Sequence, residues 1–213
     1  MMNLVIIQAR MSSTRLPGKN MMKFHRSDMI DYVFNGALKS KLSNNVVIAL
    51  PDEEGSEIIK DKYKSSYICE GVPVNDVLSR FYHTIDILNL KPDNVIRLTS
   101  DCPLLYFFPN EIDKCIHFHI KNDCDYTHNR GIHGMPSGLD VEVFKFSALK
   151  AAFEFAGVND REHVTTWIKK NEGSTFKICD IPAPFEFSEK WSIDTIEDFK
   201  KVEDVFKMFE LWR

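Results

Sequence analysis

The feature that most constrains this chain is an alternation along its first hundred residues. Short apolar runs, each the length of one strand, are separated by amphipathic segments the length of one helix. Leu4–Ile7, Val46–Leu50, Tyr67–Cys69 and Asn94–Thr99 read as strands. Residues 29–39, 54–64 and 75–88 read as helices, with Ile30, Val33, Phe34 and Ala37 on one face of the first. In the third, Asn75 is placed to cap, and Val77, Leu78, Phe81, Ile85 and Leu88 line one face. Strands that follow one another through helices form parallel sheets covered on both sides. The expected fold class is therefore α/β, a mostly parallel sheet flanked by helices. Such sheets bind ligands at the carboxyl ends of their strands, beside a topological switch point.

The pattern changes after Pro109. Residues 111–121 read as a helix, and 125–136 is rich in Gly, His and Asn without periodicity. "GLDVEVFKF" alternates like a strand, with Leu139, Val141 and Val143 on one side. Residues 147–155, with a hydroxyl cap at Ser147, and 161–170 read as helices. "FKICDIPAP" reads as a strand ended by prolines, and 196–211 as a last amphipathic helix. No repeat, low-complexity tract or linker interrupts the chain, so residues 1–213 are expected to form one domain. An irregular segment, around 122–146, is expected within it.

Several functions are disfavoured by composition. A net charge of −4 argues against a general nucleic-acid binder. No apolar run is long enough to span a bilayer, and Met1-Met2-Asn3 with Leu4–Ile7 lacks the regions of a signal peptide, so a cytoplasmic protein is expected. The five cysteines are odd in number, scattered and without a CxxC pair; they read as buried reduced thiols rather than a zinc or disulfide framework. The seven histidines show no metal-binding spacing.

The first loop, "QARMSSTRLPGKN", holds the strongest chemical signal. It follows a buried-type strand and carries Arg10, Arg15 and Lys19 with Ser12 and Ser13. It contains neither GxxxxGK[ST] nor GxGxxG. If it holds phosphate, it does so with side chains, because arginine forks match phosphate oxygens in pairs. Pro17-Gly18 stiffens the turn. The bland alternative is a solvated basic loop.

This loop resembles the N-terminal signature of the cytidylyltransferases that activate acidic sugars, (P/Q)AR-x-x-S-x-R-(L/I/F)-P-x-K-N. Gln8, Ala9, Arg10, Ser13, Arg15, Leu16, Pro17, Lys19 and Asn20 match it. The branch it is most similar to is that of spore-coat polysaccharide biosynthesis protein F; the acylneuraminate and 3-deoxy-manno-octulosonate cytidylyltransferases are relatives. "VPVNDVLSRFY", "VIRLTSDCPLL", "PSGLDVEVF", "DREHVTTWI" and "WSIDTIEDF" follow in the family's order, so the resemblance covers most of the chain. It implies a single nucleotidyltransferase domain with a glycosyltransferase-A-like sandwich, and transfer of CMP from CTP to an acidic sugar with release of pyrophosphate; it also implies that the irregular segment around 122–146 lies on the acceptor side or in a homodimer contact. Gln8 here replaces the proline of the acylneuraminate enzymes, which leaves the sugar, and less so the nucleotide, open.

The resemblance also implies roles. Arg10, Lys19 and Asp101 are the expected catalytic groups, and Asp101 with Asp194 the expected Mg²⁺ ligands. Asp101 follows an apolar strand; Asp194 reads alternatively as part of a helix cap, with the metal role favoured. Gln8, Ala9, Arg80, Thr99 and Ser100 are expected around base and ribose, and Arg10, Ser12, Ser13, Arg15 and Lys19 around the phosphates. Arg80 reads alternatively as a solvent-facing helix residue. Arg130, Asp140, Glu162 and His163 are expected to meet the acceptor, with His163 a candidate base. Alternatively, Arg161 and Glu162 merely begin a helix. The rival functions are a same-fold nucleotidyltransferase with another NTP or a phosphorylated acceptor, a glycosyltransferase, and a non-catalytic nucleotide binder. "DCD" at Asp123–Asp125 has glycosyltransferase spacing but follows a polar helix end, and carries little weight.

Overall fold

The computed structural model describes residues 1–130, 135–183 and 189–212. Its centre is a seven-stranded sheet. In chain order the strands and helices are β1 (Asn3–Gln8), β2 (Lys23–Phe24), β3 (Ser27–Asp28), α1 (Met29–Leu38), β4 (Asn45–Pro51), α2 (Ser56–Lys62), β5 (Ser66–Cys69), α3 (Val77–Ile87), β6 (Asn94–Thr99), α4 (Pro109–Lys121), β7 (Tyr126–His128), β8 (Glu142–Lys145), α5 (Phe146–Phe155), α6 (Thr166–Lys170), β9 (Ile178–Asp180) and α7 (Ile196–Leu211). The sheet order is β5-β4-β1-β6-β8-β7-β9, and β2 and β3 form a separate ribbon. β5, β4, β1 and β6 run parallel; β8 is antiparallel to both β6 and β7, and β9 returns parallel to β7. The expected mostly parallel α/β sheet is therefore present.

The chain leaves β1 toward β4 and β5, then crosses back to place β6 on the other side of β1. β1 and β6 thus flank a switch point, where the connections diverge and open a crevice at the strand ends. Two apolar clusters cover the sheet. Val5, Ile7, Ile48, Leu50, Ile96 and Leu98 face α1, α4 and α7, and Leu4, Ile6, Val47, Ala49 and Val95 face α3, α5 and α6. Successive residues of one strand therefore serve opposite layers, which is why these strands read as unbroken apolar runs.

Helix starts differ from the sequence expectation at several positions. α3 is capped by Asp76, which accepts from Ser79 N at 2.9 Å; Asn75 instead accepts from Arg10 Nη1. Ser147 does not cap α5, which begins at Phe146. Asp194 does not cap α7: Thr195 does, in a reciprocal box with Asp198. Nor do Arg161 and Glu162 start a helix. A single 3₁₀ turn, Val158–Asp160, precedes them, and α6 begins only at Thr166. Arg161 is drawn away by Asp76 (2.8 Å), Ser79 Oγ (2.7 Å) and the carbonyl of Ala156 (3.1 Å).

The segment 125–136 contains a strand that its composition hid. β7 is only three residues long, and its pairing with β8 and β9 holds it. That pairing overturns the expectation of five free thiols. Cys124 precedes β7 and Cys179 lies in β9, and the two form a disulfide across 55 residues with Cα atoms 6.2 Å apart. Parallel neighbours bring the two sulfurs together, which spacing alone does not reveal. Cys69, Cys102 and Cys115 are buried thiols.

Candidate active site

The polar crevice at the ends of β1 and β6 is lined by the first loop, by Thr99–Asp101, by Val77 and Arg80 of α3, and by Glu162, His163 and Asp194. Its geometry starts with the loop. After Gln8 the backbone folds back on itself: Gly18 N donates to Met11 O at 2.9 Å, and Gly18 adopts φ +69°, which a side chain would strain. Asn20 ties the base of the loop by donating from Nδ2 to Arg10 O at 2.8 Å. Glu53, after β4, pins the outside. It accepts from Met11 N at 2.6 Å, from Ser12 N at 3.2 Å and from Ser12 Oγ.

Lys19 is the hub. It is 8% exposed, and its ammonium contacts Asp101 Oδ2 at 3.1 Å, Asp194 Oδ1 at 3.5 Å and Ile193 O at 2.5 Å. Arg15 lies 3.0 Å from Asp194 Oδ1, and Lys190 3.1 Å from its Oδ2. Two carboxylates from segments 93 residues apart in sequence thus converge on one cation. Burial pushes the Asp101 carboxyl up, but the Lys19 charge and bonds from Thr99, Lys19 and Cys102 outweigh it and hold it below the usual range. Asp101 is ionised at neutral pH.

The segment carrying Asp194 is held by a close backbone crossing. Ile193 N donates to Asp101 O at 2.9 Å, and Trp191 N to Ser137 O at 2.6 Å. A Cβ on Gly138 would sit 2.3 Å from the carbonyl carbon of Trp191, so only glycine allows this approach.

Arg80 is 1% exposed and faces the crevice, not solvent. Its Nη2 donates to Val74 O, and its Nε is buried without a partner among the described residues. Burial pulls its guanidinium down to about 10, so it stays charged at neutral pH. Asn20 Oδ1 is likewise buried and unpartnered. Unmatched buried polar atoms in a crevice are groups that a polar ligand can satisfy.

Most of the expected site residues come together here: Gln8, Ala9, Arg10, Ser13, Arg15, Lys19, Arg80, Thr99, Ser100, Asp101, Glu162, His163 and Asp194 all line the crevice. Three do not. Ser12 is turned outward onto Glu53. Arg130 and Asp140 lie off the lining, with Arg130 Nε 2.9 Å from Asp140 Oδ1. Burial raises the Asp140 carboxyl despite that cation. The remainder of "THNRGIHGMP", residues 131–134, lies outside the described residues.

Sequence reading missed four contributors: Asn20's tie and Glu53, Lys190 and Arg97. Arg97 donates from Nε to Gln8 Oε1 at 2.8 Å and pairs through Nη1 with Glu142. A charged residue at an inward strand position was the available signal in "VIRLT" and "VEVF".

A crevice at a switch point, rich in guanidinium and ammonium groups around two carboxylates, is a site for a polyanionic ligand beside a cation. Comparison with known proteins sharpens this. The family model described as cytidylyltransferase matches residues 4–211. Spore coat polysaccharide biosynthesis protein SpsF of Bacillus subtilis is 31% identical over 218 residues, spanning 96% of this chain and 86% of that one. A 3-deoxy-manno-octulosonate cytidylyltransferase of Haemophilus influenzae is 33% identical over 103 residues, 47% of this chain and 39% of its own. Among solved structures, a cytidylyltransferase from Leptospira borgpetersenii superposes with a TM-score of 0.82 at 27% identity, covering 98% of this chain and 87% of that one. The chain belongs to the cytidylyltransferase family, and it is an enzyme of that class.

Proposed function

We propose that this enzyme transfers CMP from CTP to an acidic sugar, releasing pyrophosphate, in the synthesis of a surface glycan. The observation that carries the reading is the convergence of Asp101 and Asp194 on Lys19, with Arg10, Arg15 and Arg80 around them. The polysaccharide role of SpsF and the acidic sugar in the name of the octulosonate relative support the acceptor class.

In this reading Gln8, Ala9, Arg80, Thr99 and Ser100 surround the nucleoside, and Arg10, Ser13, Arg15 and Lys19 neutralise the triphosphate. Glu162 and His163 stand on the acceptor wall, with Arg130 and Asp140 farther out. A hydroxyl of the sugar attacks the α-phosphorus as the bond to pyrophosphate breaks, and the bonding electrons leave with pyrophosphate. The hydroxyl proton passes to His163. The cationic groups meet charge where it develops on the phosphate oxygens. No nucleophilic side chain is needed, so displacement is direct.

The donor set fits magnesium. Asp101 and Asp194 offer hard carboxylate oxygens to one point, now filled by ammonium, and no three acidic, His or Cys side chains gather among the described residues. Magnesium takes one or two carboxylates with the rest from substrate phosphates and water. Bound there, it would supply charge stabilisation to the triphosphate.

The test is pyrophosphate release from each of the four NTPs with Mg²⁺ and a panel of nonulosonic and octulosonic acids. Release with CTP and one such acid is expected. Release only with another NTP, or only with a phosphorylated acceptor, overturns the reading in favour of a same-fold relative of different specificity.

A further inference from the structure

Gln8 ends β1, and its side chain lies between the crevice and a buried ion pair. Its Oε1 accepts from Arg97 Nε at 2.8 Å. A guanidinium only donates, so the amide has one allowed orientation: turned over, it would set N–H against N–H. Arg97 cannot easily swing away. Its register partner on β8 is Glu142, to which Nη1 is paired. Glu142 is 5% exposed and also accepts from Tyr126 OH, from Thr165 Oγ1 at 3.0 Å and from Lys169 Nζ at 3.3 Å. Burial pushes the Glu142 carboxyl up, but Arg97 and Lys169 hold it far below the usual range, so the pair stays charged.

The consequence falls on Gln8 Nε2. Its two N–H groups are what this amide has left to offer the crevice it lines, and no described residue accepts from them. Cytosine carries adjacent acceptors at O2 and N3. Uracil has the same O2, but its N3 carries a hydrogen and donates. A pair of fixed donors therefore suits the first edge and opposes the second.

We propose that the Arg97–Glu142 pair is a specificity device, holding the Gln8 amide nitrogen toward the crevice so that the site takes cytosine and rejects uracil. This rests on the reading above, that the crevice holds a nucleoside triphosphate with its base near Gln8. Gln8 is the group that meets the base; Arg97 and Glu142 are positioning residues.

The test is calorimetric titration of CTP and of UTP, each with Mg²⁺, into three forms of the full chain. Wild type binds CTP more tightly than UTP. In Gln8→Glu one oxygen still accepts from Arg97 and the other replaces the donors facing the base. Both affinities fall from added charge, but the CTP-to-UTP ratio also drops by about tenfold, the worth of one hydrogen bond. Arg97→Lys keeps a cation for Glu142 but loses the fixed Nε donor, and the ratio drops by about threefold. If Arg97→Lys does not fold, Glu142→Gln, which loosens Arg97 and keeps the shape, gives the same readout. A ratio unchanged in Gln8→Glu overturns the donor assignment. A ratio that falls there but not in the Arg97 or Glu142 variant overturns the positioning role. Wild type that binds neither nucleotide, or prefers UTP, overturns the CTP reading itself and this inference with it.

Discussion

Two clusters of charge lie close together on this sheet, and they are built differently. At the ends of β1 and β6, Lys19, Arg15 and Lys190 share Asp101 and Asp194, whose side chains are 25% and 23% exposed. One face inward, Arg97 and Glu142 are locked between strands, with side chains 13% and 6% exposed. The carboxylates of the first cluster are open enough to exchange partners, and in the proposed function a metal would take the ammonium's place between them while the ammonium turns to a phosphate. The second is closed, and Arg97 reaches the crevice side through a neutral neighbour, Gln8. Open pairs contribute little to stability, whereas breaking a closed pair leaves a desolvated charge.

That contrast predicts opposite consequences for substitutions. Arg97→Met should be the most damaging to the fold, lowering unfolding free energy in urea by about 3 kcal/mol because the buried Glu142 loses its strand partner and keeps only the half-exposed Lys169 as a cation. Arg97→Met that unfolds like wild type would show the pair to be wetter than its burial indicates. Asp101→Asn should do the reverse. The melting temperature should move little, while CTP-dependent pyrophosphate release falls by at least about 100-fold. Retained turnover would break the assignment of the open cluster to catalysis.

A second closed group sharpens the comparison through pH. His119 is 1% exposed, with Nδ1 2.9 Å from Thr127 Oγ1. Burial, with Lys145 nearby, pulls its imidazole down from 6.5 to about 4. The unfolded chain therefore binds the proton first as pH falls. His119 costs nothing above pH 6.5, and stability is lost progressively from there to about pH 4, by roughly 3 kcal/mol. His119→Gln should flatten this part of the stability–pH curve, measured by urea unfolding at stepped pH; an unchanged slope would place the titration elsewhere. The smallest effect is expected at the loop's outer anchor. Glu53→Gln weakens the hold on Met11 N and Ser12, and should raise the CTP dissociation constant by a few-fold, about 1 kcal/mol or less, without changing the melting temperature by more than a few degrees.

Legibility in the sequence followed contiguity. Thirteen consecutive residues, "QARMSSTRLPGKN", carried the loop, its cations and its family, and eight of the thirteen line the crevice. Ser12 departs because Glu53, 41 residues away, offers it a carboxylate. The residues expected to meet an acceptor were harder. Arg130, Asp140, Glu162 and His163 come from separate segments, and only the last two line the crevice. The parallel strands were visible because both of their faces are buried and their apolar runs are continuous. β7 was not, since three residues give no period, and with it went the disulfide that its pairing with β9 makes possible. Capping failed at Asn75 and Ser147 for different reasons: Asp76 accepts from Ser79 N in place of Asn75, whereas α5 begins at Phe146, ahead of Ser147, without a side-chain cap.

The sequence by itself determined the α/β class, the family and the cluster of cations in the first loop, because periodicity and contiguous side chains act over a few residues. The tertiary structure alone decided which charges share a partner. Lys19 joins Asp101 to Asp194, Arg161 turns to Asp76, and Arg97 meets Glu142 and turns Gln8, because strand register and helix docking bring distant segments within the 3 Å or so over which a hydrogen bond acts.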